Sequence, residues 1–286
     1  MEKRRVSMTK AQQLGSMTAK GGFMNEADIC TKFQNYQTDS EAQIWLTIMG
    51  YDYHQVTLLS ATQIPVRINK EKALLFGIGK EKYEETIKYK KADIQIKIEI
   101  TIDTIVYIEN ISLKKANRDA GFNQVDKRPI STYQKIWKFD DTIAYWLKCF
   151  TGEISPSQIE EIAIAKIRDP KKKRVFLDEI PQHHRENILT FFKEHKYLIL
   201  SDILKGRGGL CAEWLLVTQK DTQHQDSIAW VLKDINTSIN FYAQGEVSIS
   251  PRGSLKIGRI TMQRKGGTPD PTSLQFKINP LELFNA

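Results

Sequence analysis

Cysteine is scarce in this sequence, and long apolar runs are missing. The three cysteines, Cys30, Cys149 and Cys211, lie far apart and are odd in number, which argues against a disulfide framework and against a zinc site. No apolar run reaches the roughly 18 residues that a membrane span needs, so we expect no membrane partner. The basic N-terminal segment is not followed by an apolar stretch, so we expect no signal peptide. Together these features favour a cytoplasmic protein.

The motifs of several common enzyme classes are also missing. The sequence contains no P-loop, no HExxH or paired CxxC metal motif, and no GxSxG nucleophile elbow. These absences argue against nucleotide hydrolysis, zinc chemistry and serine-hydrolase chemistry. We interpret GIGK at residues 77–80 as a turn. His183 and His184 lack partners at ligand spacing and are interpreted as surface residues.

Positive charge is the first feature that the chain has in excess. It contains 42 Lys and Arg against 34 Asp and Glu, which gives a net charge of +8 and an isoelectric point near 9.2. This balance favours a polyanionic partner, because neutralising phosphates releases counterions and drives association. Hydrophobic residues make up 41% of the 286 residues, which is enough for one large domain or two modest ones.

The apolar periodicity predicts a mixture of helices and strands. Residues 92–100 alternate strictly between isoleucine and polar side chains, and residues 104–114 follow after a short turn, so the two runs are predicted to pair as an antiparallel hairpin. The pattern predicts an α/β or α+β fold. Helices are predicted at 24–37, at 40–50 with Ser40 as N-cap, at 131–150, at 185–195 and at 234–244; further strands are predicted at 212–219, 226–232 and within 247–264.

The predicted hairpin carries the candidate catalytic residues. Asp93 lies at the start of its first strand, and Ser112 and Lys114 share one face of its second strand. A carboxylate that binds Mg²⁺ and a lysine that orients water or stabilises developing charge suit phosphodiester hydrolysis. Glu26, on the first predicted helix, is a further candidate carboxylate for the metal. The same residues also fit a solvated sheet edge, so the spacing alone leaves both interpretations open.

Long stretches spread along the chain carry a family resemblance. They are TAKGGFMNEADI (18–29), SEAQIWLTIMG (40–50), GFNQVDK (121–127), YQKIWKFDD (133–141), FTGE (150–153), SDILKGRGG (201–209), AEWLLVTQK (212–220), SPRGSLKIGRITMQRKGG (250–267) and LQFKINPLELF (274–284). In these stretches the sequence resembles the HinP-type restriction endonucleases, which cut GCGC, and its hairpin resembles the PD-(D/E)XK nuclease core. The resemblance is weakest at 1–16, 51–91 and 154–182.

The resemblance implies a fold and a set of catalytic residues. The expected fold is restriction-endonuclease-like, with a central mixed sheet flanked by helices and a mixed C-terminal region that contacts DNA. The family's metal-binding aspartate falls on Asp93 and its catalytic lysine on Lys114. The middle position of the (D/E)XK element falls on Ser112, where the superfamily has Asp or Glu and the HinP-type enzymes have Gln. The carbonyl oxygen of Leu113 and the carboxylate of Glu26 are then expected to carry more of the Mg²⁺ site.

DNA contacts are expected mainly in the C-terminal tail. Arg and Lys suit guanine in the major groove, and Glu, Asp or Gln suit the cytosine amino group. Lys205 and Arg207, in a glycine-rich turn, are interpreted as phosphate contacts. The tail also fits a basic exposed hairpin without base contacts, and the resemblance favours DNA contact. The best candidates for DNA contact are Arg252, Gln263, Arg264 and Lys265, Arg259 is a further basic candidate in the tail, and Gln124 and Asp126 could reach the same groove.

The sequence therefore predicts a Mg²⁺-dependent type II restriction endonuclease that cuts double-stranded DNA at a short GC-rich palindrome, with GCGC expected. Residues 1–153 are predicted to form the catalytic core and 154–286 a mixed region that completes the fold, unless the chain forms one continuous domain. A monomer and a homodimer both remain open. The alternatives are a methylcytosine-dependent endonuclease of the same fold, a sequence-specific DNA-binding protein with weak or no cleavage, and a general basic nucleic-acid-binding protein.

Overall fold

The computed structural model describes residues 25–100, 105–116, 121–169, 171, 173–220, 228–265 and 272–285. The predicted turn at 101–103 and Met24 of the first predicted helix lie outside these residues. Among the helices of the described residues, none combines the length and the apolar character that a membrane crossing needs.

The first sheet is a five-stranded mixed sheet built on the predicted hairpin. Its strand order is β1-β2-β3-β5-β6; the β3–β5 pair is parallel, and the β1–β2, β2–β3 and β5–β6 pairs are antiparallel. The antiparallel pairing of β2 with β3 confirms the predicted hairpin. The strands are β1 (Val56–Gln63), β2 (Ile94–Ile100), β3 (Ile105–Ala116), β5 (Trp214–Lys220) and β6 (Ile228–Asp234).

The second sheet is antiparallel, and its strands come mostly from the C-terminal tail. Its order is β4-β10-β9-β8-β7. The strands are β4 (Asn123–Arg128), β7 (Val247–Ile249), β8 (Leu255–Ile257), β9 (Ile260–Arg264) and β10 (Leu274–Ile278). Both sheets include strands from either side of residue 153, and the predicted division at that residue stays a prediction.

Helices cover the sheets. Short 3-10 turns and one π-helical turn, Ser201–Lys205, lie between them. The helices are α1, which includes residues 25–34, α2 (Ser40–Ile48), α3 (Lys70–Leu75), α4 (Tyr83–Tyr89), α5 (Ile130–Trp137), α6 (Asp141–Thr151), α7 (Gln182–Glu194), α8 (Lys196–Leu200) and α9 (Ile235–Ala243).

Two predicted helix boundaries are wrong. Asp39, not Ser40, is the N-cap of α2, since its carboxylate accepts a hydrogen bond from the Ala42 backbone N–H. The single helix predicted over 131–150 is two helices. Lys138 adopts a left-handed conformation with φ of 63° and ends α5, and the Asp140 side chain caps α6.

The first sheet has a different apolar layer on each face. On one face, the alternate isoleucines at 94–98 in β2 pack with Ile29, Phe33 and Trp45 of α1 and α2, as the alternation in β2 predicts. On the other face, Leu215 and Val217 of β5 belong to a larger core that includes the second sheet and helices α5 to α9. The polar face of the β2–β3 hairpin is therefore turned towards the second sheet.

Candidate active site

The hairpin of β2 and β3 brings Asp93 beside Ser112 and Lys114. Asp93 extends the ladder of the first sheet, since its backbone N–H donates to Ile111 O and its carbonyl accepts from the Ile64 N–H, both at 2.8 Å. In the β2–β3 register, Ile94 lies opposite Ile111, so Asp93 lies opposite Ser112. Alternation along β3 turns Ser112 and Lys114 to the face that carries the Asp93 side chain.

The polar groups of these residues lie within hydrogen-bonding distance of one another. Asp93 Oδ2 accepts from the Leu113 backbone N–H at 2.7 Å and from Ser112 Oγ at 3.3 Å. Lys114 Nζ lies 3.4 Å from the same carboxylate oxygen, 3.1 Å from Ser112 Oγ and 3.0 Å from the Leu113 carbonyl oxygen. Asp93, Ser112 and Lys114 line a cavity of about 140 Å³.

Glu26 approaches this group from α1. Its carboxylate accepts a hydrogen bond from Gln63 Nε2 at the end of β1. Burial raises the pKa of Glu26, the bond from Gln63 lowers it, and the nearby Asp93 carboxylate raises it, with a net upward shift. The Asp93 carboxylate therefore lies close enough to oppose the ionisation of Glu26.

Lys90 is a second cation at the site. Its ammonium donates to the Pro65 carbonyl at 2.9 Å and lines the same cavity as Asp93. Burial lowers the pKa of Lys90, although the charges of Asp93 and Glu26 raise it, and the net shift is downward. Neither Lys90 nor Gln63 was predicted from the sequence. Gln63 reaches the site only because β1 pairs with β2, whereas Lys90 lies three residues before Asp93, and this proximity was a usable signal.

The donor set suits a hard divalent cation such as Mg²⁺. Asp93 and Glu26 offer carboxylate oxygens, Leu113 a carbonyl and Ser112 a hydroxyl, and all four are oxygen ligands of the kind that Mg²⁺ prefers. Oxygens of Asp93, Ser112 and Leu113 already surround the Lys114 ammonium at 3.0 to 3.4 Å. The raised pKa of Glu26 marks a site where a further positive charge would be favourable.

A groove of about 510 Å³ on the second sheet collects basic residues. Burial and the neighbouring Arg264 lower the pKa of Arg174, and burial and Lys265 lower that of Lys277. This mutual repulsion among cations would be relieved by an anionic ligand. The described lining residues include no acid; they are Arg174, Phe176, Arg252, Ser254, Gln263, Arg264, Lys265, Gln275 and Lys277. We call this surface the basic groove.

Four of the predicted DNA-contacting residues thus meet in one place, namely Arg252, Gln263, Arg264 and Lys265. The basic groove also contains residues that the sequence analysis missed. Gln275 and Lys277 lie at the alternate, non-core positions of β10, and this alternation was a usable signal. Arg174 lies in the DPKKKR charge run, where nothing in the sequence distinguishes it from its neighbours.

Gln124 and Asp126 do not share a face, contrary to the expectation that both reach one DNA groove. The register of β4 against β10 shifts between Phe276 and Lys277, and this bulge separates the two side chains. Gln124 is exposed and accepts a hydrogen bond from Gln275. Asp126 is buried and forms ion pairs with Lys91 at 3.1 Å and Arg128 at 3.3 Å. Its position indicates a structural role.

The remaining predicted contacts lie outside the basic groove. Lys205 and Arg207 flank Gly206, and the Arg207 guanidinium lies 5.1 Å from the ring centroid of Tyr89, in the segment before Asp93. Arg259 pairs with Glu282 at 3.3 Å, donates to a glutamine at 3.0 Å and covers an aromatic ring of α9. The structure therefore does not bring Arg259 to the groove.

His183 and His184 do meet a third possible ligand, which the sequence analysis did not expect. Glu161 Oε2 lies 3.4 Å from His184 Nε2, and ligand atoms of the three residues lie within 4.8 Å of one another. The group is separate from the catalytic cavity, and His183 and Glu161 are exposed.

Comparisons with known proteins agree with this arrangement. The sequence matches the R.HinP1I restriction endonuclease family over residues 84–284, well over half of the chain. No curated protein matches it. Among solved structures, the fold is similar to that of the restriction endonuclease MspI in complex with its cognate DNA, with a TM-score of 0.53, 9% identity, and coverage of 88% of this chain and 83% of that chain. At this identity the likeness shows the fold alone, and it confirms the predicted restriction-endonuclease-like α+β fold.

Proposed function

The chain belongs to the R.HinP1I restriction endonuclease family, and we propose that it uses Mg²⁺ to cut GCGC, or a closely related GC-rich palindrome, in double-stranded DNA. Family membership makes it a type II site-specific deoxyribonuclease and confirms the resemblance drawn from the sequence. The recognition site, the metal and the residue roles below are the proposal.

The observation that carries the proposal is the group of Asp93, Ser112 and Lys114 around one cavity, with Glu26 beside it. A solvated sheet edge, the competing interpretation, would leave these side chains apart and in water. Here Ser112 is 4% exposed, and the Lys114 side chain is 17% exposed. The Asp93 side chain is 28% exposed. Holding a lysine, a hydroxyl and two carboxylates together with this limited access to water costs desolvation, which fits a catalytic site better than a structural one.

The proposed roles follow from chemistry. Asp93 and Glu26 would hold Mg²⁺, with the Leu113 carbonyl and the Ser112 hydroxyl completing the protein's ligands. When bound, Mg²⁺ supplies Lewis acidity at the phosphoryl oxygen and lowers the pKa of a coordinated water. The Lys114 ammonium would orient the attacking water and stabilise charge that develops on the phosphoryl oxygens. The products would be a 5′-phosphate and a 3′-hydroxyl, as the family resemblance implies.

The basic groove is the proposed recognition surface. Arg252 and Arg264 carry the donors that suit guanine O6 and N7, and Gln263 can accept from the cytosine amino group. Arg174, Lys265 and Lys277 are proposed as phosphate contacts, together with Lys205 and Arg207 near the segment before the catalytic strand. We omit Asp126 and Arg259 from this surface, because both are already engaged in ion pairs.

Digestion of two plasmids tests this function. An unmethylated plasmid and one methylated at GCGC are incubated with the protein and Mg²⁺, and the fragment ends are sequenced. Fragments that end at GCGC from the unmethylated plasmid alone support the proposal. Cutting of the methylated plasmid alone would establish the methylcytosine-dependent alternative, and ends at another fixed sequence would refute the proposed site while keeping the nuclease.

Point variants test the residue roles. Asp93→Asn and Lys114→Ala should each abolish detectable cleavage while duplex binding in the absence of metal persists. Lys115→Ala is a matched control, since this neighbouring lysine lies on the opposite face of β3, and it should cleave like the wild type. Cleavage by Asp93→Asn at the wild-type rate would overturn the assignment.

Ser112 favours one alternative of another class. A serine hydroxyl is a weaker metal ligand than the carboxylate found at this position in the superfamily, so a sequence-specific DNA-binding protein with weak or no cleavage is the second candidate. It predicts binding to GCGC duplexes without a Mg²⁺-dependent product. A general nucleic-acid-binding protein would instead show no sequence preference at moderate salt. Sedimentation of the DNA complex would distinguish a monomer from a homodimer.

A further inference from the structure

Three glutamine side chains form a row across the second sheet. Gln275 Nε2 donates to Gln124 Oε1 at 2.6 Å, and Gln263 Nε2 donates to Gln275 Oε1 at 3.4 Å. The central residue is buried, with 6% of Gln275 exposed, while Gln124 is exposed and Gln263 is half-buried. The outer two amides can therefore reach a ligand that Gln275 itself cannot.

The strand register creates this row. Gln263 and Gln275 lie directly opposite each other on β9 and β10, where side chains on one face are neighbours. The bulge between β4 and β10 pairs Gln124 with Lys277 and so turns Gln124 to the same face. Without the bulge, Gln124 would lie on the core side of the sheet with Asp126.

The direction of the hydrogen bonds makes Gln275 the controlling residue. A glutamine amide has a carbonyl oxygen that only accepts and an NH₂ group that only donates. Gln275 uses its NH₂ group towards Gln124 and its oxygen towards Gln263. Gln124 is thereby held with its NH₂ group turned away from Gln275, and Gln263 with its oxygen turned away. A reversal of the central amide would reverse both outer ones.

The row runs between the catalytic strand and the basic groove. Asn123, beside Gln124, donates from Nδ2 to the Lys115 carbonyl at 2.8 Å, one residue beyond Lys114. At the other end, Gln263 and Gln275 line the basic groove with Arg252, Arg264 and Lys277. A duplex whose bases face Arg252 and Arg264, whose phosphates contact Lys277 and whose scissile bond reaches Lys114 would pass across the glutamine row.

We propose that Gln275 is a positioning residue for sequence recognition, which holds Gln124 as a hydrogen-bond donor to a guanine edge and Gln263 as an acceptor for a cytosine amino group. This inference rests on the proposed function. A donor and an acceptor presented side by side match the O6 or N7 of guanine and the N4 amino group of cytosine. Gln275 contacts neither base and acts only through its two neighbours.

The substitution Gln275→Glu tests this role through a change of preference. A carboxylate only accepts, so both neighbouring amides must donate to it, and Gln124 must then turn its oxygen outwards. Binding is measured without divalent metal, on a GCGC duplex library in which each base pair is varied singly, by sequencing the bound fraction. Gln275→Glu should shift the preference at one base pair of each half-site from a guanine edge towards a cytosine edge and leave the other positions unchanged.

Two further variants complete the test. Gln275→Met keeps the volume and removes both hydrogen bonds, and it should lower discrimination by about 10-fold at the base pairs beneath the row. Its affinity for unrelated duplexes should remain that of the wild type, because contacts between basic side chains and phosphates determine non-specific affinity. Gln124→Met changes an exposed side chain and should fold like the wild type, so it tests the row even if neither Gln275 variant folds. This variant should lose discrimination between bases at one base pair per half-site.

The outcomes separate this inference from the proposed function. Wild-type protein without any duplex preference would overturn both. Wild-type recognition of GCGC with unchanged preference in the folded Gln275→Glu and Gln275→Met variants, or in Gln124→Met, would overturn the role of the row alone. An equal loss of affinity for all duplexes would also overturn it, since that is the result of a general change in structure or charge.

Discussion

Replacement of Asp202 by Leu is the sharpest stability test of the fold. Asp202 lies in the π-helical turn, its side chain is 0% exposed, and it pairs with Arg128 at 2.7 Å. The same oxygen accepts from Trp137 Nε1 at 3.1 Å. Leu shares the branching of Asp at Cγ but has a larger volume, so the substitution removes the charge and the acceptor and also crowds the packing around residue 202.

The expected cost follows from the groups left behind. The Arg128 side chain is 10% exposed and, among the described residues, would keep Asp126 as its ion-pair partner at 3.3 Å, and the Trp137 N–H would lose its acceptor. Removing one partner of a buried ion pair costs about 3–5 kcal/mol. Because Asp126 still offsets part of the charge, we expect about 4 kcal/mol, or roughly 8–16 °C in Tm.

Two variants isolate the cause. Asp202→Asn keeps an acceptor and loses the charge, so it should cost about 1–2 kcal/mol, the difference between a charged and a neutral hydrogen bond. Glu84→Gln removes an ion pair with Lys70 in which the Glu84 side chain is 83% exposed and the Lys70 side chain 60% exposed. It should lower the free energy of unfolding by well under 1 kcal/mol. Urea unfolding at pH 7, followed by circular dichroism, measures all three. An Asp202→Leu protein within about 1 kcal/mol of the wild type would refute the argument.

Three further predictions concern the active site, a helix cap and a turn. Ser112→Gln, which installs the family residue, should lower the Mg²⁺ concentration for half-maximal single-turnover cleavage by about 10-fold; an unchanged Mg²⁺ titration would contradict it. Partial burial raises the pKa of Asp234, but hydrogen bonds from Thr237 and the adjoining backbone outweigh this and hold the pKa below its usual value. Asp234→Ala should therefore cost about 1 kcal/mol above pH 5, and the difference from wild type should vanish as the pH falls through the lowered pKa in acid unfolding curves. Gly206→Ala should lower the free energy of unfolding by more than about 2 kcal/mol, since φ is +74° and a Cβ would lie 2.0 Å from the Tyr89 carbonyl oxygen. Gly50→Ala is the control, because Gly50 has a φ of +92° but open space around the position of a Cβ. Thermal unfolding of both variants should show the smaller loss of stability for Gly50→Ala.

The alternation of apolar and polar residues within short segments accounts for the correct prediction of the hairpin and of the residues that meet on it. The alternation of isoleucines in β2 reflects one buried face, and the short connection to β3 leaves an antiparallel hairpin as the simple pairing. Asp93, Ser112 and Lys114 then meet because strand geometry turns alternate residues to one side. These relations span about twenty residues, which is why the sequence predicts the central group of the site.

Apolar periodicity also explains why one helix was predicted where the structure has two. The helix predicted over 131–150 was continuous in its apolar spacing, but Asp140 caps the α6 backbone at Ile143 with a bond of 2.7 Å. The aspartates of KFDD were a usable signal for a second helix start. Apolar periodicity continues across such a break because both helices face the same core.

The sequence by itself determined the β2–β3 hairpin, the excess of positive charge and, through long similar stretches, the family. Only the tertiary structure decided which face each predicted DNA-contacting residue occupies and which distant residues join the candidate site. Gln124 and Asp126 are separated by a bulge set by pairing with β10, and Arg174 reaches the basic groove from a charge run elsewhere in the chain. Register and packing of this kind depend on contacts between segments more than one hundred residues apart, and no local periodicity encodes them.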